Sequence, residues 1–312
     1  MLGGMVWTLE GITFHHADVR DAHGVQWILT NEKGFWGAPG TGATLTPRIN
    51  FHGAFRTPGW KKERTVTLTG RCYAHDYATL RRAESQVQAL LSDPRVPGTL
   101  TCYSELGALE LSVFLDDPIL CAPLDIVSEP GIEFSIQVVA TDPRKSSVET
   151  QMFSTGLPAD SGTGLNFTEV VTPDPGNGLF FGYGGDSDGL TFGTSNASGV
   201  LMLDNIGTAP ADAVYTLTGP LDTPVITSAG GTMKYHASLA AGEFVVITPA
   251  APSVALGGLA NRRELLYPAD FAAFAIPPST GDTPGALGVG LSHTGPSSAG
   301  GHLDVVYRYA WF

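Results

Sequence analysis

Two stretches of this chain alternate, and they fix the class of fold more firmly than anything else in the sequence. Leu109, Leu111, Val113 and Leu115 fall on one side of an extended backbone, with Glu110 and Ser112 on the other. Ile132, Phe134, Ile136 and Val138 do the same against Glu133, Ser135 and Gln137. A period of two is the signature of a strand with one face in a core. Arg64-Thr65-Val66-Thr67-Leu68-Thr69-Gly70-Arg71-Cys72 alternates in the same way. Between these strands lies one helical pattern. Tyr77, Leu80, Ala83, Val87, Leu90 and Leu91 recur at steps of three and four, Asp76 stands where an N-cap is wanted, and Ser92-Asp93-Pro94 stops the run.

The remaining chain is read as mainly β. Its 39 glycines and 22 prolines punctuate short strand-prone runs, at residues 5–11, 24–29, 200–203, 213–218, 225–227, 233–237, 244–248 and 253–256. After residue 146 the helical signal disappears, and turn clusters recur about every ten residues, the rhythm of a sandwich or jelly roll. A length of 312 residues suits two domains. The expected division is 1–146, a barrel- or sandwich-like domain with one helix and an extended arm, and 147–312, a sandwich or jelly roll. The second would carry a Gly/Pro/Ser-rich insertion over 154–198, with an exposed loop at 173–193. The last residues, 303–312, alternate to the end and are expected to dock in a sheet.

Charge and cysteines narrow the function. Acidic side chains outnumber basic ones 30 to 17, and the excess sits in the second half, with 13 against 4 in residues 151–312. Such a surface repels phosphate, so specific nucleic-acid binding is not expected. Cys72, Cys102 and Cys121 are odd in number and lack C-x-x-C spacing, which points to free, packed thiols rather than disulfides or zinc. No apolar run approaches the roughly 20 residues of a membrane span. The opening Met1-Leu2-Gly3-Gly4-Met5 lacks a basic region followed by an apolar core, so synthesis in a cytoplasm is expected.

The candidate chemistry is thin. His15-His16 with Asp18 and Asp21 reads as a polar turn, because neighbouring strand residues point to opposite faces and cannot readily share one ion. Asp186-Ser187-Asp188-Gly189 opens like a calcium loop but lacks the closing ligands. Asn166-Phe167-Thr168 and Asn196-Ala197-Ser198 match a glycosylation tripeptide without a secretory context. Asp116-Asp117 precedes Pro118 and reads as a turn. No nucleophile elbow, phosphate-cradling loop or dinucleotide fingerprint is present, so no catalytic residue, metal or cofactor is assigned and an enzyme is not expected.

Residues 34–60 are different. They hold six glycines and three prolines among Phe35, Trp36, Phe51, Phe55 and Trp60. A long aromatic loop in a compact domain is commonly functional. Phe51, Phe55 and Trp60, followed by Lys61, Lys62 and Arg64, have the composition of an arm that packs on a neighbouring subunit, where aromatics and Arg are favoured anchors. Folding back of the aromatics on their own core is the other reading.

The order of these features resembles the distal tail protein family of long-tailed, siphovirus-type phages. In the first half the resemblance rests on the glycine- and aromatic-rich arm, the 64–72 strand, the 76–91 helix and the closing Val138-Val139-Ala140-Thr141-Asp142-Pro143-Arg144. In the second it rests on Asp204-Asn205-Ile206-Gly207-Thr208, Thr218-Gly219-Pro220 with Pro224-Val225-Ile226, Leu239-Ala240-Ala241-Gly242-Glu243, Arg262-Arg263-Glu264-Leu265, residues 271–278 and the 303–311 strand. It implies a homohexameric ring at the tip of the tail, in the virion, built by a β-barrel-like first domain with a hairpin near 44–66 reaching over the adjacent subunit, and a galectin-like or carbohydrate-module-like second domain on the outside. The ring would join the tail tube and tape-measure protein to the tail-associated fibre or lysin protein. A carbohydrate-binding module that touches a host cell-wall saccharide is the alternative.

Overall fold

The structure, a computed structural model, describes residues 4–15, 19–105, 107–124, 129–158, 199–294 and 300–312. The chain divides into two compact units, 1–150 with 308–312, and 151–307. The boundary lies between Thr150 and Gln151 rather than after 146, because the short strand Lys145–Ser147 still belongs to the first sheet. The Asp186–Gly189 motif, the two glycosylation tripeptides and the 173–193 loop lie outside the described residues.

The first unit is built on the strands that alternate most cleanly. Gly131–Ala140 pairs antiparallel along its whole length with Arg64–Tyr73. On its other edge it serves two partners in succession, Leu120–Leu124 along its first half and Gly107–Leu115 near its end. The sheet runs from Ile12–Phe14 through Val6–Leu9, Gly98–Ser104, Gly107–Leu115, Gly131–Ala140 and Arg64–Tyr73 to Gln26–Lys33. Its two ends then meet. The His15 amide donates to the Trp27 carbonyl at 2.9 Å and the Leu29 amide to the His15 carbonyl at 3.0 Å. The contact is a single parallel bridge, His15 to Ile28, so the sheet comes close to closing into a barrel and its two edges are joined at that point.

Inside, Val66, Leu68, Ile136, Val138, Leu111 and Val113 are fully shielded, with Trp7, Phe14, Trp27, Phe35 and Phe134 filling the larger spaces. Phe14 meets Trp27 and Phe134 at ring separations of 6.2 and 5.5 Å, in edge or tilted contact, the arrangement aromatic quadrupoles favour. The helix Tyr77–Gln88 lies on the Arg64–Tyr73 and Gly131–Ala140 strands. Asp76 caps it by accepting from the Thr79 amide, as its position predicts. Leu80, Ala83 and Val87 face inward, whereas Tyr77 is exposed and leaves the apolar stripe. The helix also ends before the Ser92-Asp93-Pro94 stop. Leu91 turns into the left-handed region with φ 53°, and its amide is taken by the Glu10 carboxylate at 2.7 Å.

The second unit is a two-sheet sandwich. One sheet orders Gln151–Gly156, His302–Tyr307, Ala213–Thr218, Phe244–Thr248, Ser253–Leu256 and Ala260–Asn261. The other orders Val200–Asn205, Gly285–His293, Pro224–Ser228, Gly231–Tyr235 and Leu266–Ala269. Tyr215 and Phe274 pack edge-on at 5.5 Å, and the Tyr215 hydroxyl donates to the Phe274 carbonyl at 2.9 Å. The 303–312 stretch is not one strand. His302–Tyr307 stays in the sandwich, and Ala310–Trp311 pairs with Lys145–Ser147 in the first unit.

Gly70 shows how tightly the barrel closes. A Cβ there would stand 2.4 Å from the Ile28 carbonyl oxygen and 2.4 Å from the Phe134 ring. Gly70→Ala should therefore destabilise the protein by about 1–3 kcal/mol through overpacking, read as a lowered urea midpoint at unchanged slope.

Candidate assembly interface

Residues 40–62 leave the barrel as a slender hairpin. Thr41–Gly42 pairs with Trp60–Lys61, and Leu45–Pro47 with Ala54–Arg56. The hairpin runs over residues 40–62 rather than 44–66, since the Lys62 amide donates to the Gly40 carbonyl at 2.8 Å. Its tip turns at Asn50 and Gly53, both at positive φ, the conformation that Asn and Gly adopt at least cost.

What this hairpin presents is apolar. Phe51 is 79% exposed, Phe55 64% and Trp60 82%. Two aliphatic residues that the sequence reading did not single out join them, Leu45 at 64% and Ile49 at 85%. Both sit among polar and proline neighbours with no periodic partner. Only their place on the hairpin groups them with the aromatics. Basic side chains intersperse the set. The Arg48 guanidinium lies 4.8 Å over the Phe55 ring, and the Lys61 ammonium 5.6 Å from the ring of Phe312. Lys61 and Lys62 are exposed.

Arg64 does not belong to that surface. It is 2% exposed, and its place as an interface residue is corrected accordingly. Its position has the same parity as Val66, Leu68 and Cys72, so its side chain points inward. There Nη1 donates to the carbonyls of Gly34 at 2.7 Å, Phe35 at 2.9 Å and Gly37, while Nε donates to Pro143 at 3.0 Å. The guanidinium thus ties the exit of the arm to its entrance. Gly34 permits the approach, for its φ is 108° and a Cβ would collide with the Thr65 carbonyl.

Lys145, Glu32 and Cys102 share this root. Lys145 is 4% exposed. Its Nζ donates to the Phe35 carbonyl at 3.2 Å and lies 5.3 Å from both the Phe35 and Trp36 rings. The Glu32 carboxylate accepts from the Phe35 amide at 2.5 Å. Burial pushes the Lys145 ammonium down to about 8, helped by the like charge of Arg64 and opposed by Glu32. Burial also raises the Glu32 carboxyl, against the pull of the Phe35 amide, Lys145 and Arg64. The thiols of Cys72 and Cys102 are pushed up to about 12, chiefly by burial.

The other candidate residues are structural. Asp21 accepts from the His23 and Val25 amides and the Trp27 indole, a polar turn. His15 contributes its backbone to barrel closure, and His16 and Asp18 lie outside the described residues. Asp116 and Asp117 both accept from the Gln137 amide, at 2.9 and 2.7 Å. Among the described residues no group of three or more His, Cys, Asp or Glu side chains is placed to hold a metal ion. In the second unit Tyr215, Tyr235 and Tyr307 are buried, so their alternation serves the core rather than a sugar platform.

Two outcomes follow for stability. Trp60→Ala and Phe55→Ala should leave it within about 0.5 kcal/mol, as surface substitutions do, whereas Arg64→Met should cost at least about 2 kcal/mol by orphaning buried carbonyls. Chemical denaturation measures both. The second outcome concerns pH. Lys145 titrates lower in the folded protein than in the unfolded chain, so between about pH 8 and the ordinary lysine value of 10.5 the unfolded state binds more protons. This residue's contribution to stability therefore rises with pH across that window. The wild-type protein should gain on Lys145→Met as pH is raised from 8 to 10, a trend that denaturation at each pH would record.

No protein-family model matches the chain, and no curated protein matches it. Solved structures do. Chains of the phage P2 baseplate in its activated conformation, one with Ca and one with Sr, align over 97–98% of this chain and 98% of their own. Their identities are 10% and 9%, with TM-scores of 0.44 and 0.41. The SPP1 Dit protein (gp 19.1), described as a paradigm of the hub adsorption apparatus in phages that infect Gram-positive bacteria, aligns over 99% of both chains, at a TM-score of 0.63 and 8% identity. This chain shares the fold of that protein.

Proposed function

We propose that this protein is a structural hub at the distal end of a phage tail, without chemistry of its own. In this reading six copies form a ring in which the hairpin of each lies on its neighbour. The ring joins the tail tube and tape-measure end to the tail-tip fibre or lysin protein. The observation that carries the proposal is the hairpin with five large apolar side chains in water. A two-stranded hairpin is marginal by itself, and burying such side chains stabilises by about 1.5–3 kcal/mol each. A chain that spends so much apolar surface on a two-stranded projection has it covered in the assembled state.

Fold likeness to a hub protein across both units supports the setting, and the family resemblance of the sequence supplies the copy number and partners. The basic residues Arg48, Arg56, Lys61 and Lys62 on the arm suit a chain with a strong acidic excess elsewhere, since opposite surfaces speed encounter and fix register.

Sedimentation velocity over a wide concentration range provides the test. The wild-type protein should populate a species of six chains, and Phe55→Ala with Trp60→Ala should shift it at least tenfold in concentration toward the monomer. A wild-type protein that stays monomeric at every concentration, also with tail-tube protein added, would contradict the proposal.

A further inference from the structure

The root of the arm is fastened on two sides. Its entrance, residues 34–37, is held by Arg64 from the exit strand and by Lys145 from a strand more than a hundred positions away. Lys145–Ser147 is paired in turn with Ala310–Trp311, Lys145 standing opposite Trp311 and Ser146 opposite Ala310. The Ser147 amide donates to the Tyr309 carbonyl at 2.9 Å, and the Tyr309 amide to the Ser147 hydroxyl at 3.1 Å. Arg308 pairs with Glu110 on the neighbouring strand. The chain crosses between its two units twice, at Thr150 to Gln151 and at Tyr307 to Arg308. One crossing follows closely on the Lys145 strand, and the other immediately precedes the strand paired with it.

We propose that Lys145 is a coupling residue, a latch through which the Phe35–Trp36 turn at the root of the arm and the C-terminal strand hold one another in place. A partner that moves the arm root is then felt at both crossings into the second unit. The physical basis is the scarcity of partners for a buried charge. The ammonium has the Phe35 carbonyl and two ring faces as its contacts, with Arg64, Glu32 and Cys102 as the titratable groups facing it. If the turn shifts, a buried cation loses its compensation, so small displacements are resisted and large ones must carry the lysine and its strand along. Coupling of this kind is reciprocal: whatever loosens the tail loosens the arm root. The link to partner binding rests on the arm being a docking element, but the latch itself is a property of the single chain and is tested there.

Amide hydrogen exchange of the full chain, resolved by residue, reads it. Trp311→Ala perturbs the tail, and the probe is the Phe35 amide, protected by Glu32 at the far side of the latch. The substitution should speed exchange at Phe35 by about threefold or more, and Lys145→Met should remove most of that effect in the double variant, as for sites coupled through one shared contact. Amides of Gly131–Ala140 report on global stability and should not change in step. An unaltered Phe35 amide in Trp311→Ala would overturn the proposal. So would an equal acceleration in the Lys145→Met background, or one matched throughout Gly131–Ala140. Failure of the protein to form rings would leave this result untouched.

Discussion

A buried guanidinium joins the two parts of the first unit that have opposite physical characters. Arg64 follows the arm and begins a barrel strand, and it collects the carbonyls of residues 34, 35, 37 and 143 where the sheet gives way to the hairpin, sharing that of Phe35 with Lys145. Burying an arginine is costly, and burial lowers its affinity for a proton while Glu32 offsets part of that effect. The arrangement holds because the backbone satisfies so much of it. A barrel can then release a long exposed hairpin without fraying its own edge, and the hairpin can carry apolar side chains while its root stays fixed.

Much of this was legible in the sequence, for stated reasons. The alternation at Leu109–Leu115 and Ile132–Val138 records burial on one face, and the structure uses both as barrel staves. The helix was legible from its stripe and from Asp76, and the arm from aromatics set among glycines without periodicity. Arg64 is grouped with the arm in the sequence because Lys61-Lys62-Glu63-Arg64 reads as one basic cluster following the aromatics. The signal against that reading was present in the parity it shares with Val66, Leu68 and Cys72. Lys145 carried no such signal, because the strand Lys145–Ser147 has no apolar residue although Lys145 and Ser147 both face inward.

Other features left little trace in local pattern. Closure of the barrel at His15 is made by backbone groups, which composition does not reveal. The strand Gly285–His293, central to its sheet, was absent from the sequence reading because Gly285, Gly288 and Gly290 mask the alternation of Leu287, Val289 and Leu291. The transfer of Ala310–Trp311 from the sandwich to the first unit is a question of which partner lies nearby, and a ten-residue alternating stretch gives no sign of changing sheets. Such long-range choices arise from tertiary context overriding local preference.

The first unit carries an arm whose large apolar side chains are exposed in the single chain, and both units match the fold of the SPP1 Dit protein. The proposed function makes the chain a component of a phage tail tip. A cryo-electron microscopy reconstruction of a phage tail tip assembled with this chain tests that proposal. The account predicts a six-fold ring of this chain at the distal end of the tube, with residues 45–60 of each copy covered by the next. A particle that lacks the chain, or holds it with that hairpin uncovered, would contradict it.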